Sequence, residues 1–196
     1  MFRDATVSVE IVWEKMVLIL KGEGGYRDIG LVEVLCKVRS VVVNFRLKRS
    51  AMLHDALHGF REGIGMGTVT LEANLDQKLA GITHEPLFQV FLYVWKAYDL
   101  LDWDRCLKLL REYGMGPNLA RLLEDHWRRQ RIFPKVGKYL GTAFGTGQGV
   151  TQGDPTSTMI FNIVVDAVDA VVREVLEEVC SLVFNVDDGR IAGRDH

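Results

Sequence analysis

The sequence predicts an α+β fold, on three observations. Strand-like and helix-like segments alternate without the strict strand–helix–strand order of a parallel doubly wound sheet. A hairpin signal lies near each end of the chain, and hairpins pair antiparallel. Asp154-Pro155, an N-cap residue followed by proline at the first helical position, opens a long helix with periodic apolar residues. The chain has 196 residues, 48% apolar and 26% charged, a globular composition sized for one ordinary domain or one and a half small ones.

The elements follow in order. Val17–Leu20 (VLIL) stops at Lys21-Gly22-Glu23-Gly24-Gly25 and resumes at Tyr26-Arg27-Asp28-Ile29, which reads as the first hairpin. From Leu31 to Arg49, Leu31, Val34, Leu35, Val38, Val42 and Phe45 form an apolar helical stripe opposite the basic residues. His58-Gly59-Phe60-Arg61, followed by Gly63, Gly65 and Gly67, reads as a flexible loop, and 68–80 as a helix. Leu87 to Trp95 is aromatic, branched and apolar, the pattern of a buried strand. Asp102 or Asp104 can cap a helix ending at Gly114, and Asn118 starts another with Leu119, Leu122, Leu123 and Trp127 on one face. Tyr139 to Phe144 suggests a strand before a glycine-rich loop. The helix opened by Pro155 runs to about Cys180. Ser181–Phe184, a turn at Asn185–Gly189, and Arg190–Gly193 form the second hairpin, with Asp187 and Asp188 at its tip.

Composition excludes several classes. No apolar run approaches the ~20 residues of a membrane span, and the charged N-terminus is not a signal peptide. Three cysteines, Cys36, Cys106 and Cys180, lie far apart, which points to reduced, buried thiols in an intracellular, cytoplasmic protein without a zinc site. Neither glycine cluster matches a dinucleotide loop or a phosphate-binding loop. Charge is nearly balanced at −2, but it is unevenly spread. Lys37, Arg39, Arg46, Lys48 and Arg49 occur with no acid between 37 and 49, whereas seven acids stand against Arg173 between Asp166 and Asp188. Each run is either a solvated face or, together, a polyanion path facing a cation-binding centre.

Adjacent aspartates before glycine are good turn chemistry in themselves. They also suit a hard divalent cation, since Mg²⁺ prefers carboxylate oxygens. The order of segments is more specific. A strand leading into Lys96-Ala97-Tyr98-Asp99, then Gly149–Asn162 (GVTQGDPTSTMIFN) opening a helix, then Phe184-Asn185-Val186-Asp187-Asp188, resembles the reverse transcriptases of the retroelement and group II intron type. The KGEGGYRDIGL segment is similar to their fingers, and His58–Arg61 to the loop that follows.

The resemblance implies a palm of antiparallel sheet packed on helices, with partial fingers and no thumb. Residues 1–85 would be fingers and connection, and 86–196 the palm. It implies an RNA-directed DNA polymerase acting by two-metal nucleotidyl transfer with Mg²⁺ or Mn²⁺, on an RNA template, a DNA primer and deoxynucleoside triphosphates, away from membranes. Asp187 and Asp188 would be catalytic metal ligands, Tyr98 would exclude a 2′-hydroxyl, and Gln152 and Gly153 would meet the incoming nucleotide. Lys21 and Arg27 would clamp its triphosphate. The family's first catalytic aspartate falls at Tyr93, and a phenol offers neither the charge nor the bridging oxygens of a carboxylate. The sequence therefore predicts impaired activity in a truncated chain. The alternative is an inactive palm remnant that at most binds nucleic acid or protein.

Overall fold

A computed structural model of the chain describes residues 12–21, 25–55, 57–60, 63–176, 180–186 and 188–194. Asp187, Arg61 and the expected end of the last helix at 177–179 lie outside the described residues. In chain order the elements begin β1 (Trp13–Leu20), β2 (Tyr26–Val32), α1 (Val34–Ser50), α2 (Met66–Thr83), β3 (Leu87–Tyr93) and α3 (Trp103–Glu112). They continue α4 (Pro117–Arg129), β4 (Arg131–Val136), β5 (Tyr139–Leu140), α5 (Pro155–Leu176), β6 (Cys180–Asn185) and β7 (Asp188–Arg194). Two compact units result, each from two chain segments: Met1–Met52 with Tyr98–Ile160, and Leu53–Ala97 with Phe161–His196.

The first unit is built on a sheet of order β2-β1-β4-β5. The expected hairpin is present, with Leu20 opposite Tyr26 and Glu14 opposite Val32. Strand β4 is an addition to the sequence reading. It runs parallel to β1, Glu14 opposite Ile132, and carries Pro134, a residue that argues against a strand inside a sheet. The strand expected over Tyr139–Phe144 is reduced to Tyr139–Leu140 plus one bridge from Phe144 to Ile132. Helices α3 and α4 are both present and amphipathic, with the apolar face of α4 burying Leu122, Leu123 and Trp127 as expected. Asp102 caps α3 by accepting from the Arg105 amide at 2.8 Å, and Trp103 stacks on Trp127 with centroids 6.0 Å apart.

Helix α1 corrects the sequence reading. Its buried face is Cys36, Ser40, Val43 and Leu47, spaced i, i+4, i+7 and i+11. The apolar stripe read from the sequence is exposed, with Val34 at 70% and Phe45 at 60%. Two apolar stripes therefore lie on opposite sides of one helix, and the less hydrophobic of them is the one that packs.

In the second unit the sheet has order β3-β7-β6, both pairs antiparallel, with β6 and β7 forming the expected second hairpin. Leu57, Ile163, Val165, Leu182 and Phe184 are buried within it. Strand β3 is present where expected but lies at an edge, and it is not buried: Phe88, Val90 and Phe91 are all exposed. Arg190, buried on β7, pairs with Asp76 of α2. Arg173 of α5 donates to Asp169 at 2.9 Å, and the His54 amide donates to Asp166 at 2.7 Å. These partners explain how α5 keeps buried carboxylates in a helix whose 155–175 stretch reaches a mean hydropathy of 1.3, the level of a membrane-crossing helix. More than half of that stretch is buried inside the chain, as in a core helix.

Candidate active site

In the first unit the Gln152–Gly153 turn is tied to β2. The Gly30 amide donates to the Gln152 carbonyl at 2.8 Å. Gly153 has φ +114°, and a Cβ there would stand 2.6 Å from the Gly30 carbonyl oxygen, so only glycine fits. The preceding residues are tied to the segment after β3. The Val150 amide donates to the Tyr98 carbonyl at 2.9 Å, the Gly149 amide to the Leu101 carbonyl at 2.8 Å, and the Trp103 indole to the Gly149 carbonyl at 2.6 Å. Tyr98, Gln152 and Gly153 thus belong to one hydrogen-bonded knot. Arg27 lies on β2 opposite Ile19, three residues before Gly30. The Lys21 amide closes the hairpin onto the Gly25 carbonyl at 2.7 Å, and both side chains, Lys21 and Arg27, are exposed.

Beside the turn lies a cavity of about 190 Å³ whose lining includes Glu14, Asp28, Asp99, Gln130, Gln148 and Gln152. Glu14, only 4% exposed, accepts from Gln130 Nε2 and from Thr151 Oγ1, the latter at 2.7 Å. Burial raises its pKa, hydrogen bonds from Thr151 and Gln130 oppose that shift, and Asp154 and Asp28 add to it. Asp154 begins α5 as expected: its Oδ1 accepts from the Thr156 amide at 3.2 Å. Burial raises its pKa too, against hydrogen bonds from Ser40 and Thr156. Glu14 and Gln130 were not among the residues picked out in the sequence. The available signal was a carboxylate at an inward position of an alternating strand, Trp13 and Lys15 facing out.

In the second unit the register of β3 against β7 sets Tyr93 directly opposite Asp188. Asn185 pairs with Asp188 across the end of the hairpin, and Val186 follows Asn185 in a turn. Val186 has φ +61°, a left-handed value that disfavours a branched side chain and ordinarily calls for glycine. Its conformation is backed by the His58-Gly59 segment. The His58 amide donates to the Phe184 carbonyl at 2.8 Å, a Cβ on Gly59 would stand 2.7 Å from the Val186 nitrogen, and Asn162 Nδ2 donates to the Gly59 carbonyl at 2.8 Å. His58 Nε2 also reaches Glu72 at 3.6 Å. The described residues of the expected flexible loop therefore include a buried brace for the aspartate hairpin.

The described residues supply only part of the donor set that a divalent ion needs, Asp187 being outside them. The carboxylate of Asp188 is opposed by a phenol across the strand pair, and no cluster of three or more His, Cys, Asp or Glu able to hold a metal occurs among the described residues.

The family model described as reverse transcriptase (RNA-dependent DNA polymerase) matches residues 19–195. The chain is 25% identical over 145 residues to a retrovirus-related Pol polyprotein from the type-1 retrotransposable element R2 of Nasonia vitripennis, covering 73% of this chain and 14% of that protein. Among solved structures it is similar to telomerase from Candida tropicalis in complex with a fragment of telomeric RNA, at TM-score 0.68 and 15% identity over 97% of this chain and 37% of that one. Telomerase from Candida albicans is similar at TM-score 0.65 and 14% identity, over 94% of this chain and 38% of that one. The telomerases share the fold, and the chain spans well under half of each relative's length. With nearly every residue from β1 to β7 inside the family match, the chain belongs to the reverse transcriptase (RNA-dependent DNA polymerase) family.

Proposed function

We propose that the chain is a fingers-and-palm portion of an RNA-directed DNA polymerase whose activity is impaired at Tyr93. Residues 1–85 are assigned to fingers and connection, 86–196 to palm. The observation that carries the reading is the pairing of Tyr93 with Asp188, which sets a phenol where the family resemblance expects a carboxylate beside the aspartate hairpin. The reaction is attack of a primer 3′-hydroxyl on the α-phosphate of a deoxynucleoside triphosphate, with pyrophosphate leaving. Asp187 and Asp188 are assigned as the remaining ligands for Mg²⁺ or Mn²⁺. Tyr98 is assigned as the ring that excludes a 2′-hydroxyl, Gln152 and Gly153 as the nucleotide contact, and Lys21 and Arg27 as the triphosphate clamp. The chain is assigned to an intracellular, cytoplasmic setting away from membranes; the free, buried thiols of Cys36 and Cys106, each with its pKa raised by burial to about 11, accord with a reducing compartment.

Primer extension on an RNA template, with Mg²⁺ and then Mn²⁺, tests this. The wild-type chain is expected to be silent or nearly so, because loss even of a group that only supports a metal ligand lowers activity by roughly 10–100-fold. Tyr93→Asp is expected to raise extension. Robust extension by the wild-type chain would overturn the impairment. A second reading, an inactive remnant that binds nucleic acid, is favoured by the exposed basic residues Lys37, Arg46, Lys48 and Arg49 on α1. Salt-dependent RNA binding without extension in either variant would select it.

A further inference from the structure

We propose that Glu14 is a positioning residue: its buried carboxylate fixes the Gln152–Gly153 turn against β2 through Thr151 and Gln130. The consequence for nucleotide contact rests on the polymerase reading above, but the clamp itself does not.

The hydrogen-bond bookkeeping closes. Thr151 Oγ1 donates its one proton to Glu14 Oε2 at 2.7 Å and accepts from Gln130 Nε2 at 2.8 Å. Gln130 Nε2 also donates to the same Glu14 oxygen, so its amide is shared between Thr151 and Glu14. One carboxylate oxygen therefore accepts twice, which an apolar residue or an amide nitrogen at that point could not do. Three distant stretches of chain meet there: β1 through Glu14, the α4–β4 junction through Gln130, and the turn through Thr151. A fourth, β2, is drawn in because Gly30 has no side chain. A Cβ at Gly30 would overlap both Glu14 Oε1 and Thr151 Cγ2, and the Gly30 amide is the one that holds the Gln152 carbonyl.

Packing alone does not fix this turn. Glu14, Thr151 and Gln152 all border the 190 Å³ cavity, so on that side the turn has no filled core to lean on. Polar partners with defined directions take over that task, and the carboxylate is their common acceptor.

Amide hydrogen exchange by NMR, on the full chain, tests the clamp. Glu14→Ala is expected to raise exchange at Gly30 and at residues 149–153 by more than tenfold, with the amides of α3 unchanged. Thr151→Val, which keeps the shape and removes the hydroxyl, is expected to act in the same direction. Glu14→Gln keeps an acceptor oxygen and is expected to stay within about threefold of wild type. Unchanged exchange in Glu14→Ala and Thr151→Val would overturn the proposal, and so would a uniform rise across α3 and α4, the mark of a packing role only. Titration with dGTP and Mg²⁺ separates the two claims. Binding lost in Glu14→Ala and kept in Glu14→Gln supports positioning of Gln152. The expected exchange pattern in a chain that never binds dGTP, wild type included, supports the clamp and removes the nucleotide reading.

Discussion

His126, 3% exposed on α4, has its Nε2 4.0 Å from the Cys36 sulfur, and its Nδ1 finds no hydrogen-bond partner among the described residues. Burial, helped by the Arg39 guanidinium, pushes its pKa from 6.5 down to about 3. Between those values the unfolded chain binds a proton that the folded chain refuses, so stability falls as pH drops from 6.5 toward 3. At about 1.4 kcal/mol per pKa unit the loss is on the order of 5 kcal/mol. Glu14 has the opposite sign. Its pKa is raised above 4.5, so the folded chain binds the proton first, and stability rises as pH falls from that raised value toward 4.5. Asp154 adds to Glu14 in the same sense. Urea unfolding at a series of pH values separates the contributions. His126→Leu is expected to flatten the acid decline, and Glu14→Gln to remove part of the opposing rise. An acid limb of unchanged slope in His126→Leu would show that another group carries it.

At the scale of elements, α1 gives the clearest contrast between two faces of one helix. Leu47→Ala, on the packed face, is expected to lower stability by about 2–5 kcal/mol. Val38→Ser, on the exposed face, is expected to change it by no more than about 0.5 kcal/mol. Urea unfolding of the two variants checks the pair, and a large loss for Val38→Ser would mean that the outer stripe is covered. Counting hydrophobic residues selected the outer stripe because Val34, Val38 and Phe45 outweigh Cys36 and Ser40, yet Cys36, Ser40, Val43 and Leu47 are the buried residues. Other elements were legible where local chemistry dictates them. The two hairpins, the Asp102 cap and the Asp154-Pro155 start all depend on neighbours a few residues apart. Strand β4 was not legible, because Pro134 argues against a strand and its partner β1 lies over a hundred residues away. The same distance hid part of the site: Glu14 and Gln130 are 116 residues apart, and nothing local marks them as partners. Tyr98, Gln152 and Gly153 were picked out through ordered motifs that resemble the family's, not through contacts.

For the whole molecule, the distribution of charge decides what binding to RNA can look like. The net charge of −2 provides no general attraction to a polyanion, so any affinity must come from a local basic patch. Helix α1 carries such a patch: Lys37, Arg46, Lys48 and Arg49 are exposed, with no acid anywhere from 34 to 50. If each of these four side chains meets one phosphate of a single strand, log K falls with log salt at a slope of about −3. Affinity for a short single-stranded RNA is then expected to drop on the order of 50-fold between 50 and 200 mM salt. Replacing the four by glutamine, a comparable helix former, is expected to reduce the slope nearly to zero and, since all four are exposed and none lies on the packed face, to lower stability by no more than about 1–2 kcal/mol. Fluorescence anisotropy across a salt series measures affinity and slope, and urea unfolding measures the stability. A slope much steeper than −3, or one that survives the fourfold replacement, would assign the phosphate contacts to other elements and remove α1 as the nucleic-acid face.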